Sequence, residues 1–218
     1  MDHREGLALI RESGVIAIMR AKSSDQLLRA ADAIREGGVR VIEVTMTTPG
    51  ALSIIEQAVA TRGRDVLFGA GTVLDAESAR IAILSGAQFI VAPSFSASLI
   101  SACRRYSVPV VPGAFTPTEI LTAWEQGADM VKVFPASLGG PSLIKAIKAP
   151  LPQVELVPVG GVDLDTAAAF IRAGATALGV GSALVDQELL DAQDFSTLTG
   201  RARRFMEEVA RGREAGAP

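Results

Sequence analysis

Apolar residues in this chain gather in short blocks, and between the blocks they recur every third or fourth position. The blocks Val15–Met19, Val39–Thr45, Val66–Gly69, Gln88–Ala92, Val108–Val111, Asp129–Phe134, Val154–Val159 and Ala177–Val180 predict strands. Most lack a polar face, as expected of strands covered on both sides. The intervening stretches predict helices. Ser24–Glu36 sets Leu27, Leu28, Ala31 and Ile34 along one stripe, and Asp75–Leu84 does the same with Ala79, Ile83 and Leu84. Ser23 or Ser24, Asp75, and Asp163 or Asp165 stand where a helix start needs a side-chain acceptor for its free N–H groups. Strand and helix alternate throughout, which is the pattern of βαβ units and a parallel sheet.

A weak repeat sharpens that reading. Gly37-Gly38-Val39, Gly86-Ala87-Gln88, Gly127-Ala128-Asp129 and Gly174-Ala175-Thr176 each end a helix and open a strand. They precede the second, fourth, sixth and eighth strands, so the chain divides into four units of two strands. Such a series predicts a (β/α)8 barrel, with a doubly wound open sheet as the alternative. No linker interrupts it. Residues 1–218 therefore read as one domain, with a short N-terminal helix or tail that includes His3 and a frayed tail over Arg211–Pro218.

Two strands carry a charge in an apolar setting. Lys132 lies within Met130-Val131-Lys132-Val133-Phe134, and alternation puts Met130, Lys132 and Phe134 on one face. Glu43 shares a face with Val41 and Thr45, opposite Arg40, Ile42 and Val44. In an eight-stranded ring the second and sixth strands oppose one another, so Glu43 and Lys132 are expected to meet near the C-terminal mouth. One reading is a buried ion pair that supports the core. The other is chemical: a desolvated lysine loses its proton and becomes a nucleophile, and a neighbouring carboxylate moves protons for it. Lysine is scarce here, four residues against 17 arginines, and Lys145 and Lys148 read as solvated helix amines. Further polar groups end other strands: Arg20 after the first, suited to grip a carboxylate, then Thr45, Thr47 and Thr72 as neutral hydrogen-bonding groups. The last two strands run into Gly160-Gly161 and Gly181-Ser182, where bare backbone N–H groups suit a phosphate. Gly139-Gly140 reads as a flexible loop.

Composition narrows the chemistry. Hydrophobic residues make up 49% and aromatic residues 5%, so the core must be built from aliphatic side chains. A net charge of -3 offers nothing to nucleic acid or anionic membrane, and no run is long enough to span a bilayer. The single cysteine, Cys103, permits no internal disulfide and reads as a packed helix residue, which suits a cytoplasmic protein. His3 is the only histidine, so neither a Ser-His-Asp triad nor a His-ligated metal site is expected.

These segments together resemble the 2-keto-3-deoxy-6-phosphogluconate (KDPG) and 4-hydroxy-2-oxoglutarate (KHG) aldolases. The matching stretches are Gly37–Thr45, Gly69-Ala70-Gly71-Thr72-Val73-Leu74, Pro112-Gly113 with Thr116–Glu119, Val131–Ala136 and Pro158–Val162. The resemblance implies a metal-independent class I aldolase on a (β/α)8 barrel, usually a homotrimer, needing no cofactor. It implies that Lys132 forms the Schiff base and that Glu43 shuttles protons. Thr72 and Pro93 match positions beside the pyruvyl group, while Gly160, Gly161 and Ser182 match the phosphate site. The implied substrate is a phosphorylated 2-keto-3-deoxy sugar acid, cleaved to pyruvate and glyceraldehyde 3-phosphate. Two positions depart: Thr47 stands where some members carry arginine, and Val159 where they carry threonine. Arg20 is offered instead, as in phosphogalactonate aldolases, so the galactonate epimer and unphosphorylated 4-hydroxy-2-oxoglutarate are alternative substrates. A non-catalytic barrel that binds a phosphorylated ligand or builds an assembly is the alternative of another class.

Overall fold

In the computed structural model, which describes residues 1–215, buried strands alternate with helices as the apolar pattern predicts. The strands are β1 (Val15–Met19), β2 (Val41–Thr45), β3 (Leu67–Gly71), β4 (Ile90–Val91), β5 (Val110–Val111), β6 (Gly113–Ala114), β7 (Val131–Val133), β8 (Leu156–Pro158) and β9 (Leu178–Val180). The helices are α1 (His3–Ser13), α2 (Ser24–Glu36), α3 (Ala51–Arg62), α4 (Ala76–Leu84), α5 (Ala97–Arg105), α6 (Pro117–Glu125), α7 (Gly140–Lys148), α8 (Ala167–Arg172), α9 (Gln187–Asp191) and α10 (Phe195–Glu214). A 3-10 turn covers Ala136–Leu138. Ser23, Asp75, Ser96 and Thr116 cap their helices through side-chain oxygens that accept backbone N–H groups. Asp163 acts one step further out, accepting from Asp165 N and Thr166 N before α8.

The strands form a curled parallel α/β sheet in two hydrogen-bonded sections. The first has the order β5-β4-β3-β2-β1-β9 and the second β6-β7-β8. The predicted fifth strand is split, because Pro112 separates β5 from β6 and has no N–H to give to a ladder. Single parallel bridges, Leu156 to Ala175 and Val159 to Gly179, tie the second section towards β9. One apolar cluster fills the space between strands and helices, with Ile42, Phe68, Ile90 and Phe170 among its members. The other lies on the concave side and contains Ile16, Val41, Leu67, Phe89, Met130 and Val157. Each such buried side chain contributes about 1.5–3 kcal/mol from surface removed from water.

At the N-terminus the expected short helix is present. His3 does not sit in a loose end: it opens α1, which is fixed by a reciprocal cap between Asp2 and Glu5. His3 Nε2 lies 3.1 Å from Asp129 Oδ1, and Arg11 pairs with Glu155 at 2.9 Å. Leu7, Leu9 and Ile10 join the concave cluster. Because Asp129 and Glu155 precede β7 and β8, α1 lies across the N-terminal ends of the strands. The C-terminus departs from expectation. Arg211–Glu214, expected to fray, are the last turn of α10, a 20-residue helix that packs on α2 and α8. Arg213 fixes that turn by donating to Glu12 O at 2.9 Å. Residues 216–218 of the expected tail lie outside the described residues.

Candidate active site

Lys132 occupies the middle of β7 and is only 5% exposed; Glu43 occupies the middle of β2 and is 2% exposed. Both lie on the concave side, as alternation predicts, since their same-face neighbours Met130 and Val41 belong to the concave cluster. Burial raises the Glu43 pKa above its ordinary value of 4.5, against the opposing charges of Lys132 and Arg20. Burial likewise lowers the Lys132 pKa from 10.5; Glu43 resists the shift and Arg20 adds to it. The two shifts have one cause and one consequence. Each group is driven towards its neutral form, which for lysine is the nucleophilic one. No ion pair within 4.0 Å joins them among the described residues, so the arrangement leaves the amine free of a locked carboxylate.

The Lys132 Nζ stands 5.1 Å from the centre of the Phe134 ring. That ring, 40% exposed, borders a cavity of about 400 Å³ at the C-terminal ends of the strands. Arg20, Gly160, Gly161, Gly181 and Ser182 line the same cavity. Gly160 and Gly161 have φ values of 86° and 77°, the left-handed region that a side chain disfavours. Among the described residues, the backbone N–H groups of Gly161 and Ser182 have no hydrogen-bond partner. Free backbone N–H groups of this kind can receive an anion. Val159 leaves the adjoining wall apolar.

Arg20 also lines a neighbouring recess of about 270 Å³ with Thr47 and Thr48. Here Thr45, Thr47 and Thr48 form a hydroxyl chain: Thr47 donates to Thr45 Oγ1 at 3.2 Å, and Thr45 and Thr48 are 3.1 Å apart. The buried Thr48 escaped the sequence reading because it follows the strand and looks like a solvated loop residue. Thr72 and Pro93 follow β3 and β4 at the same end, but line neither cavity. Thr72 is nonetheless distinctive, with φ of 58° at a β-branched residue. Gly71, just before it, was also missed. An added Cβ there would fall inside Glu43 Cγ, Cδ and Oε1.

The remaining candidates fall away from the site. Lys148 is not a plain solvated amine, since it donates to Pro152 O at 2.6 Å and Val154 O at 2.9 Å. Cys103 is buried in α5, and burial pushes its thiol up to about 12, which makes it an unreactive packing residue. Gly139 and Gly140 border the start of α7 rather than a loose loop. Among the described residues, no group of three or more His, Cys, Asp or Glu side chains could hold a metal ion, and no helix is long and apolar enough to cross a membrane.

A parallel α/β sheet with a buried amine and a buried carboxylate on its concave side, beside a cavity bordered by arginine and paired glycines, has the groups that an aldehyde-lyase of the Schiff-base class requires. The chain belongs to the KDPG and KHG aldolase family, whose profile it matches over residues 7–200. It is 36% identical over 206 residues to a 2-dehydro-3-deoxy-phosphogluconate aldolase of Treponema pallidum, covering 94% of this chain and 96% of that one. It is 37% identical over 171 residues to a 2-dehydro-3-deoxy-6-phosphogalactonate aldolase of Escherichia coli K12, covering 78% and 83%. Among solved structures, a KDPG aldolase of Legionella pneumophila with pyruvate captured as a covalent carbinolamine superposes with a TM-score of 0.85 at 30% identity, over 91% of this chain and 96% of that one.

Proposed function

We propose that this protein cleaves 2-keto-3-deoxy-6-phosphogluconate to pyruvate and glyceraldehyde 3-phosphate through a Schiff base at Lys132. The observation that carries the assignment is the burial of Lys132 and Glu43 on one concave surface, next to the cavity that holds Arg20 and the paired glycines. The neutral amine of Lys132 attacks the C2 ketone, and loss of water from the carbinolamine gives an iminium. As the C4 hydroxyl gives up its proton, the C3–C4 bond breaks and its electron pair passes to C3, conjugated with the iminium. Glyceraldehyde 3-phosphate leaves; protonation at C3 and hydrolysis then release pyruvate and the lysine. Glu43 receives and returns these protons. Its raised pKa suits a group that must serve as acid and as base. Arg20 holds the C1 carboxylate, with Thr45 and Thr47 beside it. Thr72 and Pro93 flank the pyruvyl group, and Gly160, Gly161, Gly181 and Ser182 hold the distal phosphate.

The same reading takes residues 1–218 as one domain, with the two sheet sections closed into a (β/α)8 barrel. The bridges towards β9 and the short gap at Pro112 support closure. It also takes the protein to be a cytoplasmic homotrimer that uses no cofactor. A second substrate is favoured by a specific feature. Arg20 ends β1 while Thr47 occupies the position after β2, and a structure described as native KDPGal superposes with a TM-score of 0.86 at 33% identity, over 92% and 96% of the two chains. The 6-phosphogalactonate epimer is that substrate. The test is kcat/KM for the gluconate and galactonate phosphates and for 4-hydroxy-2-oxoglutarate, measured side by side. The gluconate phosphate should be preferred. A preference for the galactonate epimer would move the assignment to it, and cleavage of none would remove the proposal.

A further inference from the structure

We propose that Gly71 is a positioning residue: its missing side chain is the space in which the Glu43 carboxylate lies. The inference rests on Glu43 being the proton shuttle, and deepens that reading by naming what fixes the shuttle in place. Along β3 the concave face runs Leu67, Gly69, Gly71. Leu67 fills its own volume in the concave cluster. A Cβ at Gly69 would meet the ring of Phe89, with Cγ at 2.6 Å. At Gly71 it would meet the Cγ, Cδ and Oε1 of Glu43. The first glycine thus accommodates a core side chain, while the second accommodates the buried carboxylate.

Neither partner can step aside easily. The Gly71 carbonyl accepts from Met46 N at 2.8 Å, Ala70 N donates to Phe89 O at 3.0 Å, and Val73 N donates to Val91 O at 3.2 Å. These bonds tie the backbone to both neighbouring strands. Thr72 holds a left-handed φ of 58°, a strained conformation for a β-branched residue, so the segment does not relax freely. The Glu43 backbone is held by its pairing, opposite Ile18 on β1 and Gly69 on β3. At 2% exposure the side chain is enclosed by its neighbours. An added methyl at position 71 must therefore displace the carboxylate, and misplacing a proton-transfer group by about 1 Å is enough to slow turnover roughly 100-fold.

The experiment is a double-mutant cycle of Gly71→Ala and Glu43→Ala, read by kcat, KM and the midpoint of urea unfolding. Alone, Gly71→Ala should lower kcat by roughly 10- to 1,000-fold, within the range of an acid/base contribution, with KM changed less than about threefold. It should also lower the unfolding midpoint. In the Glu43→Ala background the obstructing atoms are gone, so Gly71→Ala should leave both kcat and the midpoint unchanged. If Gly71→Ala alone fails to fold, folding of the double variant supports the proposal and failure of both overturns it. Equal losses in the two backgrounds, or an unchanged kcat in the single variant, would also overturn it. Should Glu43→Ala itself keep wild-type turnover, the catalytic reading of Glu43 falls; the unfolding midpoints still report whether Gly71 makes its space.

Discussion

The two ends of the sheet are built from the same strands and serve opposite ends. At the N-terminal end, α1 lies across the strands and buries Leu7, Leu9 and Ile10, while the His3 contact with Asp129 and the Arg11–Glu155 ion pair fasten its edges. At the C-terminal end the strands stop short of any such cover. Arg20, Phe134 and the glycines after β8 and β9 surround open cavities, and the buried Lys132 and Glu43 lie beneath them. A parallel sheet points every strand the same way, so one end can be sealed for stability while the other carries chemistry. Substitutions at the two ends should therefore divide into losses of rate and losses of fold.

Removing the nucleophile should have the largest effect. Lys132→Met keeps the length of the side chain and should reduce cleavage to the uncatalysed background. The fold should persist, with the buried Glu43, deprived of the lysine charge, driven further towards its neutral form. The linkage has a definite sign. The lowered pKa means that the folded state favours the neutral amine, so wild type loses stability as pH falls from the ordinary lysine value of 10.5 down to the lowered one, and Lys132→Met should lack this loss. Urea titrations across the alkaline to neutral range test it. Glu43→Gln should come next, slowing kcat by about 10²- to 10⁴-fold with the fold intact; wild-type kcat would make Glu43 a structural residue only.

The sealed end should behave in the opposite way. Ile10→Ala empties a fully buried position in α1 and should destabilise by about 2–5 kcal/mol, with kcat/KM per folded molecule unchanged. A loss of rate there would break the division between the ends. Gly181→Val is a milder test at the open end. An added Cβ meets nothing within 4 Å, so folding should be unaffected. The side chain should nevertheless obstruct the phosphate and raise KM about tenfold or more, the worth of a hydrogen bond to a charged group. Gly161 is a poorer choice, because a Cβ there would meet Ser137 Cβ at 2.6 Å. The smallest effect concerns pH. Arg20 helps to hold the Lys132 pKa down, so Arg20→Gln should move the acid limb of Schiff-base formation, at saturating pyruvate, to higher pH. A shift to lower pH would contradict the electrostatic account.

Alternation along single strands made the concave face legible. It placed Lys132 beside Met130 and Phe134, and Glu43 beside Val41, before any contact across the sheet was known. Glycines after the last strands were legible as well, because turns and anion sites both use bare backbone. Gly71 was not, since its reason for being glycine is a side chain 28 positions earlier in the chain. The same holds for His3, whose partner Asp129 lies across the fold, and for Arg213, which finds Glu12. Local pattern reveals which face a residue presents; it does not reveal which distant residue will meet it. The last turn of α10 was missed for a related reason, because it is charged and is fixed by distant residues, Glu12 O and the α8 surface at Ala168 and Ile171.

The account turns on Lys132 as the covalent nucleophile. Incubation with pyruvate and borohydride, followed by peptide mass mapping, should add one reduced pyruvyl group at Lys132 and none at Lys22, Lys145 or Lys148. A label on another lysine, or no label at all under conditions in which the enzyme cleaves its substrate, would contradict it.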